Sequence, residues 1–273
     1  MRVFQSPHEL KKELRGLHVS IGFVPTMGAL HNGHISLIKK AKEENEIVVV
    51  SIFVNPTQFL KGEDLDKYPR KEQADKRICE LAGVDYLFYP NAEDIYEKDE
   101  VKLCAPDVRG YILEGETRPG HFSGVLTVVM KLLNIVNPTN AYFGKKDAQQ
   151  LMLISLMVKQ MFMDVNIVPV ETMRDNLGLA LSSRNEYLNA EEKVEALKIP
   201  SALKKATSLV VSGVYETKTI IDEMKMILEP LDVSYIAIVS REFIPIATIQ
   251  TGNSMILVEA VVGNTRLLDN IWL

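Results

Sequence analysis

Cysteine is scarce in this chain: Cys79 and Cys104 are the two present among 273 residues. Two thiols without a repeated spacing build neither a disulfide framework nor a metal site, so both are expected to be buried or reduced. Long apolar runs are missing as well. No stretch approaches the ~18 residues that a membrane-spanning helix needs, and Met1–Pro7 lacks the apolar core of a secretory signal. A soluble protein of the reducing cytoplasm is the expectation. Nor is positive charge in surplus: 31 Lys and Arg face 36 Asp and Glu, for a net charge of −5. A general nucleic-acid binder would set excess cations against the phosphates, so neither nucleic acid nor membrane is expected as a partner. A small anionic substrate remains compatible with charge that is only locally positive.

Several signatures of known chemistry are absent too. No G-x-G-x-x-G follows a strand-like run, and no G-x-S-x-G elbow marks a hydrolase. No H-E-x-x-H or paired C-x-x-C suggests zinc. Gly110 and Gly115 have the spacing of a P-loop, but Glu116 stands where phosphate requires lysine.

What is present is an alternation. Ile21–Pro25, Glu46–Val54, Val84–Tyr89, Ala141–Phe143 and Val165–Val170 read as strands. The run at 46–54 is apolar nearly throughout, as a parallel strand covered on both faces should be. Helical periodicity separates them: from about Gly33, over Tyr68–Leu81, over Val125–Val136 and over Lys146–Met161. This predicts an α/β domain with a mostly parallel sheet over residues 1–172. After that come helices at about 190–211 and 217–228, then strands at 233–239, 254–262 and 265–268. Residues 173–273 therefore read as a smaller C-terminal α+β domain with an antiparallel sheet.

Chemistry-bearing residues cluster where predicted strands end. Pro25-Thr26-Met27-Gly28-Ala29-Leu30-His31-Asn32-Gly33-His34 leaves a strand and enters a helix. Unpaired backbone N–H groups at a helix start favour an anion, and His31 and His34 lie one turn apart. Imidazoles can donate to phosphoryl oxygen as charge builds. Asn55 and Gln58, in Phe53–Phe59, are neutral amides suited to a hydroxy acid. Gly144-Lys145-Lys146-Asp147 offers cations for phosphate and a carboxylate for ribose hydroxyls, with Gln150 one turn further on. Leu181-Ser182-Ser183-Arg184 sets two hydroxyls beside a guanidinium matched to pyrophosphate. Each segment alone also reads as an ordinary turn or capped helix. Their shared position at strand ends points to one crevice holding a nucleotide. A ligase, a nucleotidyltransferase that leaves the nucleotide on its product, and a non-catalytic nucleotide-binding module all fit that crevice.

The ordered set resembles the pantoate–β-alanine ligase family. The resemblance is carried by residues 25–34, 53–59, 118–125 (Arg-Pro-Gly-His-Phe-Ser-Gly-Val), 143–150 and 178–185. H-x-G-H alone would mark only the wider nucleotidyl-transferring superfamily. The resemblance implies a Rossmann-like domain over 1–172 that binds ATP and pantoate, a lid and dimer domain over 173–273, and a homodimer. It implies that pantoate attacks the α-phosphorus of Mg²⁺-ATP and that β-alanine then displaces AMP from the adenylate. It places Met27, Gly28, Ala29, Leu30, His31, Asn32, Gly33, His34, Gly144, Lys145, Lys146, Asp147, Met173, Leu181, Ser182, Ser183 and Arg184 at ATP. His34 matches the family's proton donor, and on physical grounds His34, Lys146, Ser182 and Arg184 are expected as the donors that meet charge on the α-phosphate. Gln58 and Gln150 would hold pantoate, and Gln58 also β-alanine. No protein ligand for Mg²⁺ is assigned. Lys145 departs from the pattern, standing where many relatives carry glutamate.

Overall fold

The computed structural model describes all 273 residues. They form two compact units, Met1–Lys145 with Leu153–Glu171, and Lys146–Met152 with Thr172–Leu273.

The first unit contains β1 (Arg2–Phe4), α1 (Pro7–Leu14), β2 (Ile21–Thr26), α2 (Asn32–Glu44), β3 (Ile47–Ile52), α3 (Glu72–Leu81), β4 (Tyr86–Phe88), α4 (Ala92–Ile95), α5 (Glu114–Thr117), α6 (His121–Val136), β5 (Asn140–Gly144) and β6 (Asn166–Val170). α7 (Ala148–Gln160) starts among the second unit's residues and ends among those of the first. The strands form one parallel sheet in the order β1-β4-β3-β2-β5-β6. Alternate strand residues face opposite layers. Val24, Val48, Val50 and Leu87 pack with Leu37, Ile38 and Ala41 of α2 and Cys79 of α3. Phe23, Val49 and Phe88 are buried on the opposite face, where α6 packs on β2 and α1 packs on α6. Burial, with a smaller push from the Asp75 charge, raises the Cys79 thiol to about 12, so it is an inert core group.

The connections run outward from β2 on one side and from β5 on the other. The carboxyl ends of β2 and β5 therefore flank the topological switch point, where open α/β sheets bind ligands. β1 and α1 were not among the expected elements. β1 is an edge strand of three residues whose pairing partner is β4, far along the chain. α1 is signalled locally by the Ser6 cap and Pro7 in its first turn. α6 starts at His121, earlier than Val125, and a 3₁₀ turn over Lys145–Asp147 precedes α7.

The second unit holds α8 (Ala190–Ala196), α9 (Lys198–Val211), α10 (Thr217–Leu228) and an antiparallel sheet β7 (Asp232–Ser240), β8 (Ser254–Val262), β9 (Thr265–Trp272), ordered β7-β8-β9. The expected fold class, a parallel α/β sheet followed by a smaller α+β part, is what the chain adopts. Ile199, Leu203, Ile220, Met224, Ile256 and Val258 make the core of this unit. The helix expected over 190–211 is two helices. Pro200 has no N–H for the Ala196 carbonyl, and proline is tolerated only in a first turn, so α9 begins afresh at Lys198.

β9 also runs past Leu268, where apolar residues give way to Asp269 and Asn270. Both are buried. Arg174 grips Asp269 with two bonds, Nη1 to Oδ2 at 2.5 Å and Nη2 to Oδ1 at 2.9 Å. The same guanidinium donates to the carbonyls of Gly178 and Asn270. Arg174→Leu would leave the Asp269 carboxylate buried without its cation. A loss of about 3 kcal/mol in denaturant unfolding is expected, since stranding one member of such a pair is costly. A change indistinguishable from surface substitutions would show that the pair contributes nothing.

Candidate active site

At the carboxyl end of β2 the chain makes a tight turn. Gly28 has φ +86° and Ala29 has φ +49°. A side chain at Gly28 would also stand 3.0 Å from Ile52 Cγ2 and 3.1 Å from Asp75 Oδ2, so glycine is required there twice over. α2 then begins with a cap made by two histidines. Gly33 N donates to His31 Nδ1 at 3.1 Å, and His31 N donates to His34 Nδ1 at 3.2 Å. A ring nitrogen that accepts carries no proton, so each neutral imidazole holds its proton on Nε2. The two rings stand side by side, 4.1 Å between centroids.

The backbone amides ahead of the helix are engaged within the protein. Gly28 N turns onto Thr26 Oγ1, and Ala29 N and Leu30 N donate to Asp75 at 2.9 and 2.8 Å. The cap fixes both rings in the Nε2–H tautomer.

β3 ends at the Asn55–Gln58 segment, where Pro56–Gln58 form a 3₁₀ turn capped by Asn55. Asn55 is 1 % exposed. Its Oδ1 accepts from the Thr57 and Tyr96 hydroxyls at 2.9 and 2.7 Å. Its Nδ2 donates to Gln58 Oε1 at 3.0 Å and to the Gly124 carbonyl at 3.3 Å. Asn55 thus supports the Gln58 side chain. Gln58 Nε2 points to Met27 Sδ at 3.1 Å. The Gln58 carbonyl accepts from His121 Nδ1 at 2.7 Å and Arg118 Nη2 at 3.2 Å. Arg118 in turn makes a two-point pair with Glu63, both bonds 2.6 Å. Burial raises the Glu63 carboxyl, but the Arg118 bonds and the Leu60 N–H outweigh it and hold it below the usual carboxylate range. A Cβ on Gly124 would lie 2.2 Å from the Thr57 carbonyl, so glycine lets α6 press directly on this turn. Val125, Val128 and Val129 are core residues of α6.

A cavity of about 300 Å³ lies behind the first loop, with Met27, Gly28, Ile52, Phe53, Asp75 and Tyr89 in its wall. Its walls come from the segments that follow β2, β3 and β4 and from Pro69–Lys71 and Asp75 at the start of α3.

Gly144 and Lys145 leave β5 beside β2. Lys145 Nζ is paired with Glu171, which follows β6. In the second unit, Lys146 Nζ lies 3.2 Å from Asp147 Oδ1, and its backbone carbonyl accepts from Asn270 Nδ2 at 2.7 Å. Trp272 Nε1 fixes Asn270 by donating to its Oδ1 at 2.8 Å. Gln150 stands partly exposed in the first turn of α7. The Ser182–Arg184 loop lies in the segment that follows β6. It is built inside the second unit by the Arg174–Ala180 bridge and by Leu181 N donating to the Met173 carbonyl at 2.9 Å. Ser182 Oγ caps its own 3₁₀ turn by accepting from Arg184 N, and Ser183 is buried. No group of three or more His, Cys, Asp or Glu is arranged to hold a metal ion.

Four supporting residues escaped the sequence reading: Glu63, Asp75, Asp269 and Asn270. The signal for the last pair was a polar break inside an apolar strand run. Asp75 sits among Glu72, Lys76 and Arg77, within the segment Tyr68–Leu81 that reads only as a helix.

Residues 2–272 match the family model described as pantoate-beta-alanine ligase. The chain is 64 % identical over its whole length to the pantothenate synthetase of Sulfurimonas denitrificans, also covered in full. The crystal structure of pantothenate synthetase from Thermus thermophilus superposes with a TM-score of 0.95 at 38 % identity, covering 99 % of both chains. A pantoate-beta-alanine ligase from Francisella tularensis, solved with beta-gamma ATP and beta-alanine, gives 0.84 at 39 % identity over 100 % of this chain and 97 % of that one. With those loops in place and a match along the full length, the chain belongs to the pantoate–β-alanine ligase family.

Proposed function

We infer that this chain is an ATP-dependent ligase that joins pantoate to β-alanine through a pantoyl adenylate. The observation that carries the mechanism is the paired histidine cap, which holds two Nε2–H donors beside the switch point. A pantoate carboxylate oxygen attacks the α-phosphorus, the bond to the bridging oxygen breaks, and pyrophosphate leaves. The β-alanine amine then attacks the acyl carbon, the acyl–oxygen bond breaks, a proton is lost from nitrogen, and AMP leaves.

Charge accumulates on the α-phosphoryl oxygens in the first step, and donors already fixed in place stabilise it best. His34, Lys146, Ser182 and Arg184 take that role. His31 supports it as the other half of the cap, and the remaining residues of 27–34, 144–147, 173 and 181–184 line the nucleotide. Gln58 and Gln150 take the pantoate hydroxyl and carboxylate, and Gln58 also serves β-alanine. The relay Glu63–Arg118–His121 fixes the Gln58 backbone, while Asn55 fixes its amide. Mg²⁺ enters as part of the nucleotide substrate, held by triphosphate oxygens and water. A cytoplasmic homodimer, with residues 173–273 acting as lid, belongs to the same reading.

Incubation with Mg²⁺, ATP, pantoate and β-alanine tests it. AMP release that requires both organic substrates is the expected result. Pyrophosphate release with the nucleotide retained on a final product would mean a nucleotidyltransferase. Absence of turnover would mean a binding module.

A further inference from the structure

We infer that Asp75 is a positioning residue for adenylate formation: it fills an anion-binding concavity in the histidine loop and so sets where that loop can grip phosphate. Gly28 and Ala29 lie in the left-handed region, and the successive N–H groups of Ala29 and Leu30 converge on one point. Such groups form a concavity that attracts anions. Here the anion is internal. Asp75, 2 % exposed on α3, accepts from Ala29 N at 2.9 Å through one oxygen and from Leu30 N at 2.8 Å through the other.

Two consequences follow. The turn is held in a conformation that Ala29 would not adopt unaided, and His31 and His34 start from that turn. Phosphate is also denied the Ala29 and Leu30 amides, so it meets the loop further along, where His31 and His34 stand. The approach is close, since a Cβ on Gly28 would stand 3.1 Å from Asp75 Oδ2. A carboxylate one methylene longer cannot make the same two bonds there. The cavity of about 300 Å³ has Asp75 in its wall, so a small anion can reach the concavity once the Asp75 carboxylate is removed.

The role rests on the ligase reading, and its test separates the two. Pantoate-dependent ATP–pyrophosphate exchange reports the first step, and AMP release from preformed pantoyl adenylate with β-alanine reports the second. Asp75→Ala is expected to lower exchange by about 10- to 10²-fold, the scale of a small misplacement of catalytic groups, with the second step little changed. Sodium formate should restore part of that exchange and raise the melting temperature of Asp75→Ala, with neither effect on the wild type. Asp75→Asn keeps the shape and places an NH₂ against one N–H. It should show the same bias toward loss of the first step, and it carries the test where Asp75→Ala fails to fold. Equal losses in both steps, or a folded Asp75→Ala that formate neither stabilises nor reactivates, would overturn the assignment. Wild-type protein without exchange would sink the ligase reading instead, while formate stabilisation of Asp75→Ala would still decide the anion concavity.

Discussion

His34→Asn is expected to lower pantoate-dependent ATP–pyrophosphate exchange by about 10²- to 10³-fold, the usual effect of removing one preorganised donor from a developing oxyanion. The substitution is chosen because His34 does two things. Its Nδ1 accepts from His31 N at 3.2 Å and closes the cap of α2. Its Nε2–H is the group assigned to phosphate. An asparagine oxygen occupies much the same place as Nδ1 and can keep the cap, while nothing replaces Nε2. Thermal unfolding should therefore stay close to wild type. His34→Ala removes both functions and should lose about 1 kcal/mol more stability, the ordinary worth of a helix cap. If His34→Asn retained near-normal exchange, the imidazole would be a capping group only, and the phosphate contact would have to come from elsewhere.

The fold was readable where local pattern and global role coincide. Ile47–Ile52 is apolar because both faces of β3 are covered, and its composition announces that. Gly28 stands out because its left-handed φ and its closeness to Ile52 and Asp75 permit few other residues. The unread parts depend on partners distant in sequence. β1 is three residues long and is a strand only because Tyr86–Phe88 pair with it. Asp75 matters because Ala29 and Leu30 lie against it from more than forty residues away. Nothing in Glu-Gln-Ala-Asp-Lys-Arg distinguishes it from a solvated helix face.

Asn55 differs in what its sequence position could show. Its residue type suits a ligand, and only the burial of its amide among Thr57, Gln58, Tyr96 and Gly124 shows that its bonds are internal. β9 was cut short for a related reason. Asp269 and Asn270 look like a strand end to a hydrophobicity argument, yet they are buried because Arg174 and the Lys146 backbone satisfy them. The polar residues that hold the candidate loops are thus the ones composition misreads.

Lys146→Ala is expected to abolish adenylate formation to a similar depth, about 10²- to 10³-fold in kcat for exchange, with the protein still folded. The backbone there is anchored independently of the side chain, because Asn270 Nδ2 holds the Lys146 carbonyl at 2.7 Å. Truncation therefore removes an ammonium and little else. The split between kinetic constants decides what that ammonium does. A cation that binds ground-state phosphate and transition state equally would raise KM for ATP and spare kcat, whereas one that meets only the developing charge would lower kcat. The second pattern is expected, and near-normal exchange would refute the role. Lys145→Ala is the matched control. It carries the same charge one residue earlier, but its ammonium is engaged by Glu171 at the end of β6. Lys145 lines the nucleotide without a directed role, so its loss should raise KM for ATP and leave kcat for exchange largely intact. If Lys145→Ala proved as damaging as Lys146→Ala, charge density at the end of β5, and not one directed donor, would be what the reaction requires.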